Sequence, residues 1–159
     1  MNPADIRYLI IHCSATTSRQ DYSLARLERD HQSRGFESAG YHYYIRRDGA
    51  IYTLRQHHEV GAHCRGYNRC SLGICYEGGL DERRRPADTR TVEQRWALEH
   101  LLLMLRALYP QAQIVGHRDL SPDLDGDGRI MPREWIKACP SFDVGTAYSY
   151  IIRGEGGVL

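Results

Sequence analysis

Apolar positions fall in short runs of two different periods, and the runs alternate along the chain. Ile6 to His12 is apolar on both parities, as in a central strand buried on both faces. Asp21 or Ser23 then suits a helix N-cap, Leu24 and Leu27 recur toward His31, and Gly35 supplies a stop. Tyr41 to Ile45 and Ala50 to Leu54 flank Arg47-Asp48-Gly49, a hairpin signal because the central turn residues must accept positive φ. Gln56 to Arg69 is polar and reads as a long loop of the kind that lines sites. Ser71 to Tyr76 returns to a strand closed by Gly78-Gly79, and Leu80 to Arg90 is a charged, solvated loop with no function assigned. Thr91 to Gln94 forms a capping box ahead of Leu98, Leu101, Leu102, Leu105 and Leu108, until Pro110 ends the helix. Gln113 to Gly116 is a short strand that delivers His117, as the first strand delivers His12. Ser141 or Asp143 caps a last helix through Ile152, and residues 153–159 read as a frayed tail. This order predicts one α/β domain over residues 1–159, its core about 6–152, with a central mixed β-sheet flanked by helices.

Length and composition fit that picture. A chain of 159 residues holds one domain with a real core and not two comfortable ones. The net charge of +1 gives no electrostatic case for nucleic acid or an anionic membrane surface, and neither is expected as a partner. The N-terminus has no signal-peptide pattern, and no apolar run approaches the roughly 20 residues that span a bilayer. The chain is therefore expected to be made in the cytoplasm and to be a monomer. Five cysteines, an odd count, argue for thiols or a metal ligand before a disulfide framework, although Cys64 and Cys70 are close enough to bridge in an oxidising compartment.

Candidate chemistry gathers late in the chain. His12 or His117 alone would more often be a hydrogen-bonded strand-end histidine, and Cys139 alone a small buried hydrophobe. Together they are two histidines at strand ends and a cysteine in the tight Ala138-Cys139-Pro140 turn. Three nitrogen and sulfur ligands leave a fourth tetrahedral position for water, the arrangement of a catalytic zinc site.

The blocks LIIHCSAT (Leu9 to Thr16), GYHYYIRRDG (Gly40 to Gly49), VGAHCRGYNRCSLGICYEGG (Val60 to Gly79), VGHRD (Val115 to Asp119) and KACPSFD (Lys137 to Asp143) carry a resemblance. In this order they resemble the zinc-dependent N-acetylmuramoyl-L-alanine amidases, a family that includes phage lysozyme-type amidases and peptidoglycan recognition proteins. The resemblance covers about Ile6 to Asp143. It implies that His12, His117 and Cys139 bind Zn2+, that Tyr41 is the tyrosine beside the reacting water, and that Lys137 assists the charged intermediate. It also places His63, Asn68 and Ser71 in the block that shapes the substrate groove. The implied reaction is hydrolysis of the amide between N-acetylmuramic acid and L-alanine in peptidoglycan or muropeptides, by an endolysin that reaches the wall after release by a holin or by a recycling enzyme. Two rivals remain: a module that recognises muropeptides without cutting them, and a structural calcium-loop protein with incidental histidines.

Between His117 and Lys137 the chain departs from the simpler family pattern. Asp123, Asp125, Asp127, Gly128 and Glu134 fit D-x-[DN]-x-[DN]-G-x5-E, with a backbone carbonyl at Arg129, so this insertion reads as an EF-hand-like Ca2+ loop. Its rival is a solvated acidic turn. Glu134 stands three residues before Lys137, so an ion there would order the segment carrying Lys137 and Cys139.

Overall fold

The computed structural model describes residues 1–154; the expected frayed tail from 155 onward lies outside the described residues. β1 (Tyr8–Cys13), β2 (Tyr43–Ile45), β3 (Ile51–Thr53), β4 (Ser71–Tyr76) and β5 (Gln113–Gly116) form one sheet in the order β3-β2-β4-β1-β5. Only the β2–β3 hairpin is antiparallel, so the sheet is mixed. Its turn is tied by Gly49 N–H to Arg46 O at 2.9 Å, and Gly49 takes φ of 82°. β1 and β4 sit centrally and are almost entirely buried, which is why both read as continuous apolar runs.

One face of the sheet is covered by α2 (Val92–Leu108). Leu98, Leu101, Leu102 and Leu105 point inward, each contributing about 1.5–3 kcal/mol through burial. Its N-terminus has the expected capping box between Thr91 and Gln94. Gln94 is buried, and its Nε2 donates to the carbonyls of Ile45 and Glu77, which pins the helix to the ends of β2 and β4. The other face takes α1 (Leu24–Gln32), capped by Ser23, with Leu27 packed on Tyr22, Ala39, Tyr44 and Cys75.

The expected last helix is broken into α3 (Val144–Ala147), capped by Asp143, and α4 (Ser149–Ile152). The break falls at Tyr148, which is buried against α2's side of the core and receives the Arg90 guanidinium at its hydroxyl. The insertion 121–135 projects between β5 and Cys139. Its base is closed by Ile136 N–H donating to Ser121 Oγ and by Arg118 stacked 4.2 Å from the Trp135 ring. Cys64 and Cys70 are buried free thiols. No helix among the described residues is long and apolar enough to cross a membrane.

Candidate metal centre

Register places the first two candidate ligands. Ile11 of β1 lies opposite Gly116 of β5, so the next residues, His12 and His117, emerge side by side. His12 also shares a row with Cys75 and Tyr44, and rows in parallel register project to one face, here the face under α1. The two imidazoles are 4.7 Å apart between centroids.

Cys139 arrives on a turn docked from several directions. Arg118 N–H donates to Cys139 O at 2.8 Å, Ser141 N–H to Ala138 O at 2.7 Å, and the Tyr76 hydroxyl to Pro140 O at 2.7 Å. Cys139 Sγ ends 3.8 Å from His12 Nδ1. Nitrogen and sulfur ligands on one tetrahedral zinc, at the usual bond lengths, stand about 3.6 Å apart. One ligand atom from each of His12, His117 and Cys139 lies within 4.8 Å of the others, so the set fits such a cation.

Protonation follows from burial. Burial first, then His63, His117 and Lys137, holds His12 well below the ordinary imidazole pKa, and burial takes His117 down to about 4. Both are neutral at pH 7, as ligands must be. The Cys139 thiol is pushed well up, by the hydrogen bond shared with Cys13 and then by burial. A thiolate there is expected to form only as a cation displaces the proton.

A groove of about 320 Å3 opens over this centre, and its walls include Tyr41 and Lys137. The Tyr41 ring is 5.2 Å from that of His12. Burial raises its hydroxyl well above the ordinary tyrosine pKa, with nearby thiols adding to the shift, so it keeps its proton and can donate. Lys137 is exposed at the rim. A neighbouring groove of about 290 Å3 shares Arg34, Tyr41, His63 and Lys137 and adds Arg65 and Asn68.

His63 and Asn68 are half-buried on the groove walls, and Ser71 lies beneath them. His63 Nδ1 is 3.0 Å from His12 Nε2, and Asn68 Oδ1 accepts from the N–H groups of His63 and Cys64 at 2.9 Å each. Ser71 is fully buried and donates to Tyr67 O. Sequence reasoning missed Leu80 and Pro86, which line the metal groove because a bridge between them folds the charged loop back. They are apolar positions in a charged stretch, a signal that was present. It also missed His31, Cys13 and Ser141, whose places on the groove wall depend on tertiary packing.

In the insertion, carboxylates of Asp123, Asp125 and Glu134 converge within 4.8 Å. Asp127 is not in that group; its carboxylate accepts Arg129 N–H at 2.8 Å. Asp123 takes the N–H groups of Gly126 and Gly128, Glu134 those of Leu124 and Met131, and Asp125 pairs with Arg133. The loop's own donors thus engage the carboxylates.

Known proteins resemble this chain in sequence and in fold. Residues 2–142 match the family described as N-acetylmuramoyl-L-alanine amidase. The endolysin of Enterobacteria phage K11 is 38% identical over 134 residues, covering 84% of this chain and 80% of the relative. Among solved structures, the N-acetylmuramoyl-L-alanine amidase LysC from Clostridium intestinale URNW superposes with a TM-score of 0.71 at 23% identity, covering 94% of this chain and 87% of its own. A mutant of Drosophila PGRP-LB in complex with tracheal cytotoxin superposes with a TM-score of 0.66 at 24% identity, covering 91% and 80%. With its sequence matched from the first strand through the cysteine turn, the chain belongs to the N-acetylmuramoyl-L-alanine amidase family.

Proposed function

We propose that this protein is a zinc hydrolase that cleaves the amide between N-acetylmuramic acid and L-alanine in peptidoglycan or its soluble fragments. The observation that carries the reading is the convergence of His12, His117 and Cys139 at the floor of an open groove. Zinc held by these three would polarise the scissile carbonyl and lower the pKa of an attacking water toward ~7. The remaining work falls to the chain itself. The amide is neutral, and attack concentrates negative charge on its oxygen, so donors aimed at that atom favour the transition state over the substrate. Tyr41 keeps its proton and offers an O–H beside His12, while Lys137 brings a cation to the same wall. Phage endolysin relatives favour a lytic enzyme over a recycling one.

A suspension of purified peptidoglycan tests this reading. Turbidity should fall with the protein present, stop falling with a zinc-selective chelator, and resume on adding zinc. Clearing that ignores the chelator would contradict it.

We further infer that the insertion binds calcium, supported by the spacing from Asp123 to Glu134 and by the meeting of Asp123, Asp125 and Glu134. Asp127 and the Arg129 carbonyl would be the further ligands that the spacing assigns. Isothermal titration with calcium tests it directly, and absence of heat in the millimolar range counts against it.

A further inference from the structure

We propose that His63 is a positioning residue for His12: it selects the tautomer that leaves His12 Nδ1 bare for the metal, and the fold carries a slot that fits its ring. The inference rests on the zinc-amidase reading above.

The direction of the hydrogen bonds is set by the Tyr67 carbonyl, which can only accept. It lies 2.8 Å from Ser71 Oγ, so the serine's single hydrogen is spent there. Toward His63 Nε2, 3.4 Å away, Ser71 Oγ is left as an acceptor, and Nε2 carries the hydrogen. A neutral imidazole protonated at Nε2 has a bare Nδ1. That bare Nδ1 stands 3.0 Å from His12 Nε2, which is therefore the donor. His12 is left with its lone pair on Nδ1, the nitrogen facing Cys139 Sγ.

A second, independent feature holds the ring in place. A Cβ at Gly73 would sit 2.6 Å from His63 Cγ, and one at Gly61 would sit 2.6 Å from Cδ2. Gly73 lies within β4 in ordinary strand conformation, so its lack of a side chain serves space and not backbone freedom. It pairs with Ile10, two residues before His12, which puts the vacant position beside the ligand. At the main-chain end, Asn68 Oδ1 clamps the N–H groups of His63 and Cys64. Ring, tautomer and backbone are each fixed by a different contact.

The test measures zinc affinity of the full chain by competition with a chromogenic chelator, and the visible spectrum after cobalt substitution. His63→Ala should weaken zinc about 10- to 100-fold, the usual effect of removing a hydrogen-bond partner of a metal-bound histidine. His63→Asn, whose Oδ1 can accept from His12 Nε2, should recover most of that loss. Gly73→Ala should weaken zinc and shift the cobalt bands although it touches no ligand. Wild-type affinity in His63→Ala would overturn the inference, and so would an Asn variant as weak as the Ala variant. A raised KM with unchanged zinc affinity would make His63 a substrate contact and also overturn it. If Gly73→Ala does not fold, the pair of His63 variants decides. A wild-type chain that takes up no zinc would instead sink the zinc-amidase reading itself.

Discussion

Cys13 donates its backbone N–H to Cys139 Sγ at 3.3 Å. Strand β1 thus presents an imidazole from His12 and, one residue later, an amide hydrogen that can stabilise a thiolate on the facing turn. The two candidate ligands it serves come from opposite ends of the chain, so the centre also ties the first strand to the segment that follows the insertion.

Removing that thiol gives the first prediction. Cys139→Ala should lower zinc affinity by more than the about 100-fold that loss of a ligand's hydrogen-bond partner produces, while leaving the sheet folded. Metal analysis after equilibrium dialysis checks this, with circular dichroism as the control. A variant that retains one zinc per chain would contradict it.

Tyr41 and Lys137 should separate binding from turnover. Tyr41→Phe and Lys137→Ala each remove a donor from the groove wall and leave the metal set intact. Each is expected to lower kcat about 10²- to 10³-fold, equivalent to roughly 2.7–4 kcal/mol of barrier, with zinc content unchanged. Steady-state kinetics on a soluble muropeptide provide the readout. Full kcat in either variant removes that residue from the mechanism.

Acid should destabilise the fold before the carboxylates titrate. His42 is fully buried, accepts Gly73 N–H at Nδ1 and pairs with the Glu59 carbonyl through Nε2. His31 is buried and accepts Gly40 N–H at Nδ1. Burial first, outweighing the Glu59 contribution at His42 and reinforced by Arg34 against Asp30 at His31, takes both down to about 4. Arg55 faces both rings and His57 faces His42, in the same direction. Because the folded pKa lies below the unfolded one, the unfolded chain binds more protons between these values, and stability falls as pH drops through that window. Each group is worth on the order of 3 kcal/mol in full. Thermal melts with a chelator present should show Tm falling between about pH 6.5 and 5. A flat Tm across that range would contradict the assignment.

The calcium reading makes a separable prediction. Asp123→Asn combined with Glu134→Gln should abolish any rise of Tm with calcium and reduce turnover, since Ser121 and Ile136 close the loop next to Lys137. If Tm and turnover in saturating calcium match the unaltered chain, the insertion is an acidic turn held by its own amides.

Much of the fold was legible because its signals are local. The Thr91–Gln94 capping box and the leucine spacing behind it gave α2, and the uninterrupted apolar character of β1 and β4 gave the sheet centre. The pairing of His12 with His117 was foreseeable once both were read as strand ends. The role of Gly73 was not, because a glycine within a strand carries no mark of the ring lying over it. His63 was read as a groove residue and does line the groove, but its contact with His12, and that of Ser71 with His63 behind it, was not legible, because it depends on β4 lying beside β1. The last helix splits at Tyr148, whose hydroxyl accepts from Arg90, far away in sequence.

The most direct measurement is mass spectrometry of purified peptidoglycan and of a soluble muropeptide after incubation with the protein, with and without a zinc-selective chelator. Peptides with a free N-terminal alanine beside intact glycan, lost on chelation and restored by zinc, are the predicted products. Muropeptide recovered intact and bound to the protein would contradict cleavage and leave a recognition module in its place.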